Sequence, residues 1–152
     1  MKKIILSFLV LFTNISFTQS SSAEDSVKST FKQLAEICRS VDFSDPLTTE
    51  LGAFYKAAPY IVYTGNDKSR KWKDTCNYKN VLERRMVNEA CYRINETVNQ
   101  SEDFKFGKFL TETESEGTWY AIEVIYNKKG KEKKNLFAFL KVHGRFVLGD
   151  ID

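Results

Sequence analysis

Two of the twenty carboxylates, the lone histidine and the three cysteines are the side chains here whose types and placement could carry chemistry. In the segment WYAIEVIY, Glu123 shares one face of an extended strand with Trp119, Ala121 and Ile125. A carboxylate held against aromatic rings loses hydration and can act as a general base near neutral pH. Asp150 falls in phase with Phe146 and Leu148, which points it toward the mouth of any cavity lined by that strand. Asp150 and Glu123 are therefore the candidate catalytic residues. Against this, Tyr120, Ile122, Val124 and Tyr126 make the better apolar face of their strand, which places Glu123 on the wet side. His143 precedes Gly144 at a turn and has no nucleophile motif beside it, so it reads as a surface residue.

The cysteines suit one disulfide with one thiol left over. Cys38 lies on an apolar helical stripe and packs as a small hydrophobe. Cys76 precedes a helical segment that contains Cys91. A straight helix would hold those two more than about 20 Å apart at ~1.5 Å per residue, so a bond needs the chain after Cys76 to fold back. On this reading Cys76–Cys91 is preferred over a pair using Cys38. No CxxC or HExxH spacing occurs, and no metal or cofactor is expected.

A basic loop offers a different chemistry. Lys68, Arg70, Lys71 and Lys73 surround Trp72, and Lys79, Arg84 and Arg85 follow. Cations around an exposed tryptophan can hold a phosphate, an acidic glycan or an acidic protein partner. The plainer reading is a solvated loop whose tryptophan tucks against the following helix. Lys128 to Lys134 is a solubilising hairpin tip.

The elements that position these residues begin with a leader. Lys2 and Lys3 precede the apolar run IILSFLVLF, and small polar residues follow to Ala23. This is the pattern of a secretory signal over residues 1–23, cut after Ala23 or Thr18, and the run is too short to anchor in a bilayer. The remaining 24–152 form a single domain, secreted or periplasmic. Removal of the leader takes two lysines and no acid, so 21 basic side chains face 20 acidic ones and the formal charge falls from +3 to +1. A near-neutral domain makes no case for nucleic acid, and no membrane span is expected in the mature chain. With 42% hydrophobic and 28% charged residues, two prolines and seven glycines, the composition excludes a disordered tail, a collagen-like fibre and a polytopic membrane protein. The sequons Asn95-Glu96-Thr97 and Asn99-Gln100-Ser101 matter only in a eukaryotic secretory route, and the Lys- and Asn-rich composition looks bacterial.

Periodicity predicts three helices and then strands. Val27, Phe31, Leu34, Cys38 and Val41 form one helical face. Asp45 and Pro46 cap a second helix whose face is Leu47, Leu51, Phe54 and Ala58. YIVYT (60–64) reads as a short strand, and Asn80 to Val98 as a third helix with Leu82, Met86, Val87, Ala90, Cys91 and Ile94 inward. From Asp103 the period becomes two, with a phase slip at Gly107-Lys108 that a β-bulge would produce. Strands over Trp119–Tyr126, Leu136–Val142 and Arg145–Ile151 complete a four-stranded antiparallel meander. The class is α+β: three N-terminal helices packed on a curved antiparallel sheet.

This order, the bulge at Gly107-Lys108 and the terminal pair FAFLKVHGRFVLGDID resemble the nuclear transport factor 2-like superfamily, the SnoaL-like, cystatin-like cone. The resemblance covers Glu24 to Asp152 and is similar in particular to small exported bacterial members without assigned activity. It implies an apolar cone closed by the helices. Its members include isomerases, dehydratases, small-molecule binders, dimerisation modules and toxin-neutralising proteins, and no catalytic motif of theirs matches here. The expected function is a non-catalytic exported binding domain for a small apolar ligand or a protein partner. Tyr120, Ile122, Val124, Phe139 and Trp72 are the expected contacts. The alternatives are an isomerase- or hydrolase-like enzyme using Asp150 or Glu123, and a homodimeric or toxin-neutralising interaction module.

Overall fold

The computed structural model describes residues 22–40, 55–63, 74–98, 104–114 and 117–152. Helix α1 spans 22–39 and buries the predicted stripe, with Val27, Phe31, Leu34 and Cys38 fully out of solvent. Phe31 is its main anchor. Its ring meets Phe104, Phe106 and Phe137 edge-on at centroid distances of 5.6, 5.8 and 4.7 Å, a geometry that suits the ring quadrupoles. The predicted stripe's last member, Val41, lies outside the described residues.

The described residues do not show the three N-terminal helices expected. The start of the expected second helix, Pro46 to Phe54, lies outside the described residues. Its described end is one helical turn, 55–57, passing into a 3-10 turn over Ala58–Tyr60. Pro59 explains the ending, because it has no N–H to donate and its ring crowds the preceding turn. Among the described residues two helices are long, α1 and α2 (Val81–Val98).

Helix α2 starts where a capping residue allows. The Asn80 side-chain oxygen accepts the Leu82 N–H at 2.9 Å. Glu83, 3% exposed, lies in the first turn and accepts the Asn77 N–H at 2.6 Å. Its negative charge suits the positive end of the helix. The buried frame is Glu83, Val87, Cys91, Ile94 and Val98. Leu82, expected inward, stands about 100° from that frame and is 67% exposed.

Four strands follow: β1 (Lys105–Glu114), β2 (Gly117–Lys128), β3 (Lys131–Val142) and β4 (Arg145–Ile151), an antiparallel meander in the order β1-β2-β3-β4. Lys129-Gly130 and His143-Gly144 make two-residue turns with φ of 52° and 75°, and of 48° and 79°. Positive φ at both central positions matches the right-handed twist of the flanking strands. The expected bulge is present: Phe106 pairs with Val124 and Phe109 with Ile122, leaving Gly107 and Lys108 opposite Glu123. A second irregularity lies in β4, where Phe139 pairs with Leu148 but Ala138 with Asp150, leaving Gly149 extra. Of YIVYT, the described residues 60–63 form two isolated bridges, Ile61 parallel to Leu148 and Val62 antiparallel to Thr75.

One face of the sheet packs Ile122, Val124, Phe137, Phe139, Phe146, Leu148 and Ile151 into the same core as the two helices. On the other face Val62, Leu140, Val142 and Val147 cluster with Trp119. The helices are also joined covalently, by a disulfide between Cys38 and Cys91 with Cα atoms 4.8 Å apart. This corrects the Cys76–Cys91 pairing. Cys38 and Cys91 both stand on inward stripes of helices that share one core, whereas Cys76 is held elsewhere. Its N–H bonds to the Ile61 carbonyl at 2.9 Å, its thiol faces the Val62 carbonyl at 3.7 Å, and no fold-back along α2 occurs.

Candidate functional site

Both candidate carboxylates have structural surroundings. Glu123 Oε2 lies 3.4 Å from the Lys108 N–H and Oε1 3.4 Å from Lys134 Nζ, with the side chain 19% exposed. The carboxylate fills the room that Gly107, lacking a Cβ, leaves in the bulge. It thus satisfies a backbone donor that the extra residue takes out of the ladder. Asp150 is moved out of phase with Phe146 and Leu148 by the extra Gly149. It is exposed, and its Oδ1 accepts the N–H of its neighbour Ile151 at 2.8 Å. It borders a recess of about 150 Å³ with Glu89 and Arg93 of α2. Strand β3 separates Glu123, paired with Leu136, from Asp150, paired with Ala138, which puts their backbones more than about 10 Å apart. They do not form one site. His143 is exposed at its turn, as expected.

The expected ligand contacts are core. Ile122, Val124 and Phe139 have no exposed surface. Tyr120 stacks on Phe109 at 6.4 Å and meets the edge of Phe146 at 5.0 Å. Side chains fill the space in which an aromatic cone would hold a ligand, and these four residues border neither described recess. Trp72 lies outside the described residues.

A different recess, of about 750 Å³, opens between α1, the turn 55–60, the segment leading into α2, and the start of β4. Helix α1 presents Gln33, Glu36, Ile37 and Ser40 to it, a set spaced as one helical face beside the buried stripe. Tyr55, Pro59, Tyr60 and Tyr78 supply rings. Tyr55 meets Tyr78 edge-on at 4.9 Å and is over half exposed. Lys56 and Arg145 bring two cations, opposed by the single carboxylate of Glu36. The α1 wall is anchored from behind: the disulfide fixes the end of α1 against α2, and Asn95 of α2 donates to the Cys38 carbonyl at 3.1 Å. That bond, with Thr97 fully buried, also occupies the sequon at Asn95. The cleft can stack a flat apolar surface on its rings, hydrogen-bond at its α1 wall and neutralise an anion.

Sequence reasoning missed this cleft. Its available signal was the placement of tyrosines among polar residues, Tyr55 beside Lys56 and Tyr78 between Asn77 and Lys79. No group of three His, Cys, Asp or Glu among the described residues is placed to hold a metal ion, and no helix there is long and apolar enough to cross a membrane.

The architecture is thus an α+β protein with a disulfide between its two long helices and a tyrosine-lined cleft beside it. No protein-family model, curated protein or solved structure matches the chain, so nothing attaches it to the nuclear transport factor 2-like superfamily.

Proposed function

We propose that the chain is an exported, non-catalytic binding domain whose ligand sits in the tyrosine-lined cleft between α1, the turn 55–60 and the start of β4. The observation that carries this reading is the cleft itself: three tyrosines, two cations and the face of α1 bearing Gln33, Glu36, Ile37 and Ser40 converge on about 750 Å³, and a disulfide anchors that helix. Export is supported by the leader pattern at Lys2 to Ala23 and by the disulfide, which persists in oxidising compartments. The non-catalytic reading is supported by the carboxylates. Glu123 serves a backbone donor and a lysine in the bulge, and Asp150 stands apart from it beyond β3.

Native mass spectrometry of the full chain, purified after export, tests the proposal. Retained extra mass that disappears in Tyr55→Ser or Tyr78→Ser is the expected result. An empty dimer would overturn it in favour of an interaction module.

A further inference from the structure

Resting on that reading, we infer that the cleft takes an anionic saccharide: a sugar ring with hydroxyl groups and one carboxylate or phosphate. The walls differ in kind, and only some ligand chemistries use both. One wall is aromatic, with Tyr55 and Tyr78 packed edge to face so that their rings offer surfaces at 86° to each other. The α1 wall adds polar groups, with Gln33, Glu36 and Ser40 flanking Ile37 on one side of the helix. A plain aromatic or lipid-like ligand would stack on the rings and strip water from Gln33 and Glu36 without replacing it, which costs free energy. A sugar suits both walls, since its C–H face stacks on a ring while its hydroxyls bond amide and carboxylate oxygens. Glu36 is an acceptor only, so it selects a ligand that brings donors, as hydroxyl groups do.

Charge narrows the class further. Lys56 and Arg145 come from different elements, the turn 55–57 and the first residue of β4, and both border the cleft. With Glu36 committed to hydroxyls, the cations call for one negative group on the ligand. Arg145 offers the planar fork that fits a carboxylate or a phosphate.

The test titrates the full exported chain with four probes. These are galacturonate, galactose 6-phosphate, their shared neutral counterpart galactose, and the uncharged aromatic N-phenyl-1-naphthylamine. One site per chain is expected for galacturonate or galactose 6-phosphate, with galactose at least tenfold weaker. Arg145→Gln and Lys56→Gln should each reduce the preference for the anion several-fold, and Tyr78→Ser should weaken every sugar. The stronger of the two anions identifies the charged group. Equal affinity for galactose, or anion binding untouched by Arg145→Gln and Lys56→Gln, overturns the anionic assignment. Binding of the naphthylamine alone, lost in Tyr78→Ser, overturns the saccharide while leaving a binding cleft. If no probe binds a chain whose near-ultraviolet circular dichroism is native, the cleft reading falls with it.

Discussion

Gly107 on β1 and Glu123 on β2 occupy a single space between them: the carboxylate stands where a Cβ on residue 107 would be. The same device recurs across the sheet, where the Trp119 ring lies over Gly149 and a Cβ would come within 2.6 Å of it. Both glycines are bulge residues, and both make room for a side chain of β2. Neither has the positive φ that reserves a position for glycine.

The two positions should nonetheless respond differently to alanine. At Gly107 the obstacle is the far end of a flexible, surface-anchored side chain, which can swing away at the cost of two weak bonds. Lost bonds of about 1 kcal/mol are then offset in part by the smaller entropy of the unfolded chain. Gly107→Ala should change stability by no more than about 1 kcal/mol. At Gly149 the obstacle is a tryptophan ring packed on Leu140, Val142 and Val147, so Gly149→Ala should cost about 1–3 kcal/mol by overpacking. Urea denaturation of both variants checks the order, and Trp119→Phe should relieve part of the Gly149→Ala loss.

The disulfide gives a second prediction. Cys38 and Cys91 enclose 53 residues of sequence separation, and a closure of that length stabilises by about 4 kcal/mol in the chain-entropy model. Cys38→Ser should therefore lower the urea midpoint strongly, and reduction of the native protein should do the same. Cys76→Ser should leave the bond intact. Peptide mapping without reductant should recover the Cys38 and Cys91 peptides joined, with Cys76 alkylated only after unfolding.

The order of the strands and the bulge at Gly107-Lys108 were legible because alternation and its slip are local patterns, written within a few residues. So were α1 and α2, whose stripes recur every three or four residues. The disulfide was not legible, because it depends on how two distant stripes face each other across a shared core. Asp150 was misplaced for a related reason. Its phase with Phe146 and Leu148 holds only if β4 is regular, and the extra Gly149 is visible only in its pairing with Phe139 and Ala138. The cleft was the least legible feature. Gln33, Tyr60, Tyr78 and Arg145 come from four separate stretches, and each alone reads as an ordinary surface or strand residue.

Lys128 should report on how α2 meets the β2–β3 hairpin. Its Nζ donates to Glu96 Oε1 at 3.1 Å, and that hydrogen bond, with the carboxylate's charge, holds the ammonium above its ordinary range. A raised folded-state pKa means that the contribution to stability is complete below the unfolded value and is lost as pH rises through the folded one. The difference in urea midpoint between wild type and Lys128→Gln should be present at neutral pH and vanish above the lysine range. Because the pair is partly exposed, added salt should shrink the difference at every pH. A gap that persists at strongly alkaline pH would assign the effect to packing instead.

Thr97 and Asn135 tie the same two elements together from the inside. The Asn135 amide donates to Thr97 Oγ1 at 2.8 Å, the Thr97 hydroxyl donates to the Arg93 carbonyl at 3.0 Å, and Tyr126 OH donates to Asn135 Oδ1 at 3.4 Å. Thr97 has no exposed surface, so water cannot replace a partner removed there. Thr97→Val keeps the shape and leaves the Asn135 amide one acceptor short, a loss of about 1–3 kcal/mol. Asn135→Ala removes the other end and should cost a similar amount. The double variant should cost less than the two losses added together, because each single change already breaks the shared bond, and a coupling of at least about 0.5 kcal/mol is expected. Strict additivity in that cycle would mean that the two side chains stabilise the helix–hairpin junction independently, through packing rather than through the bond between them.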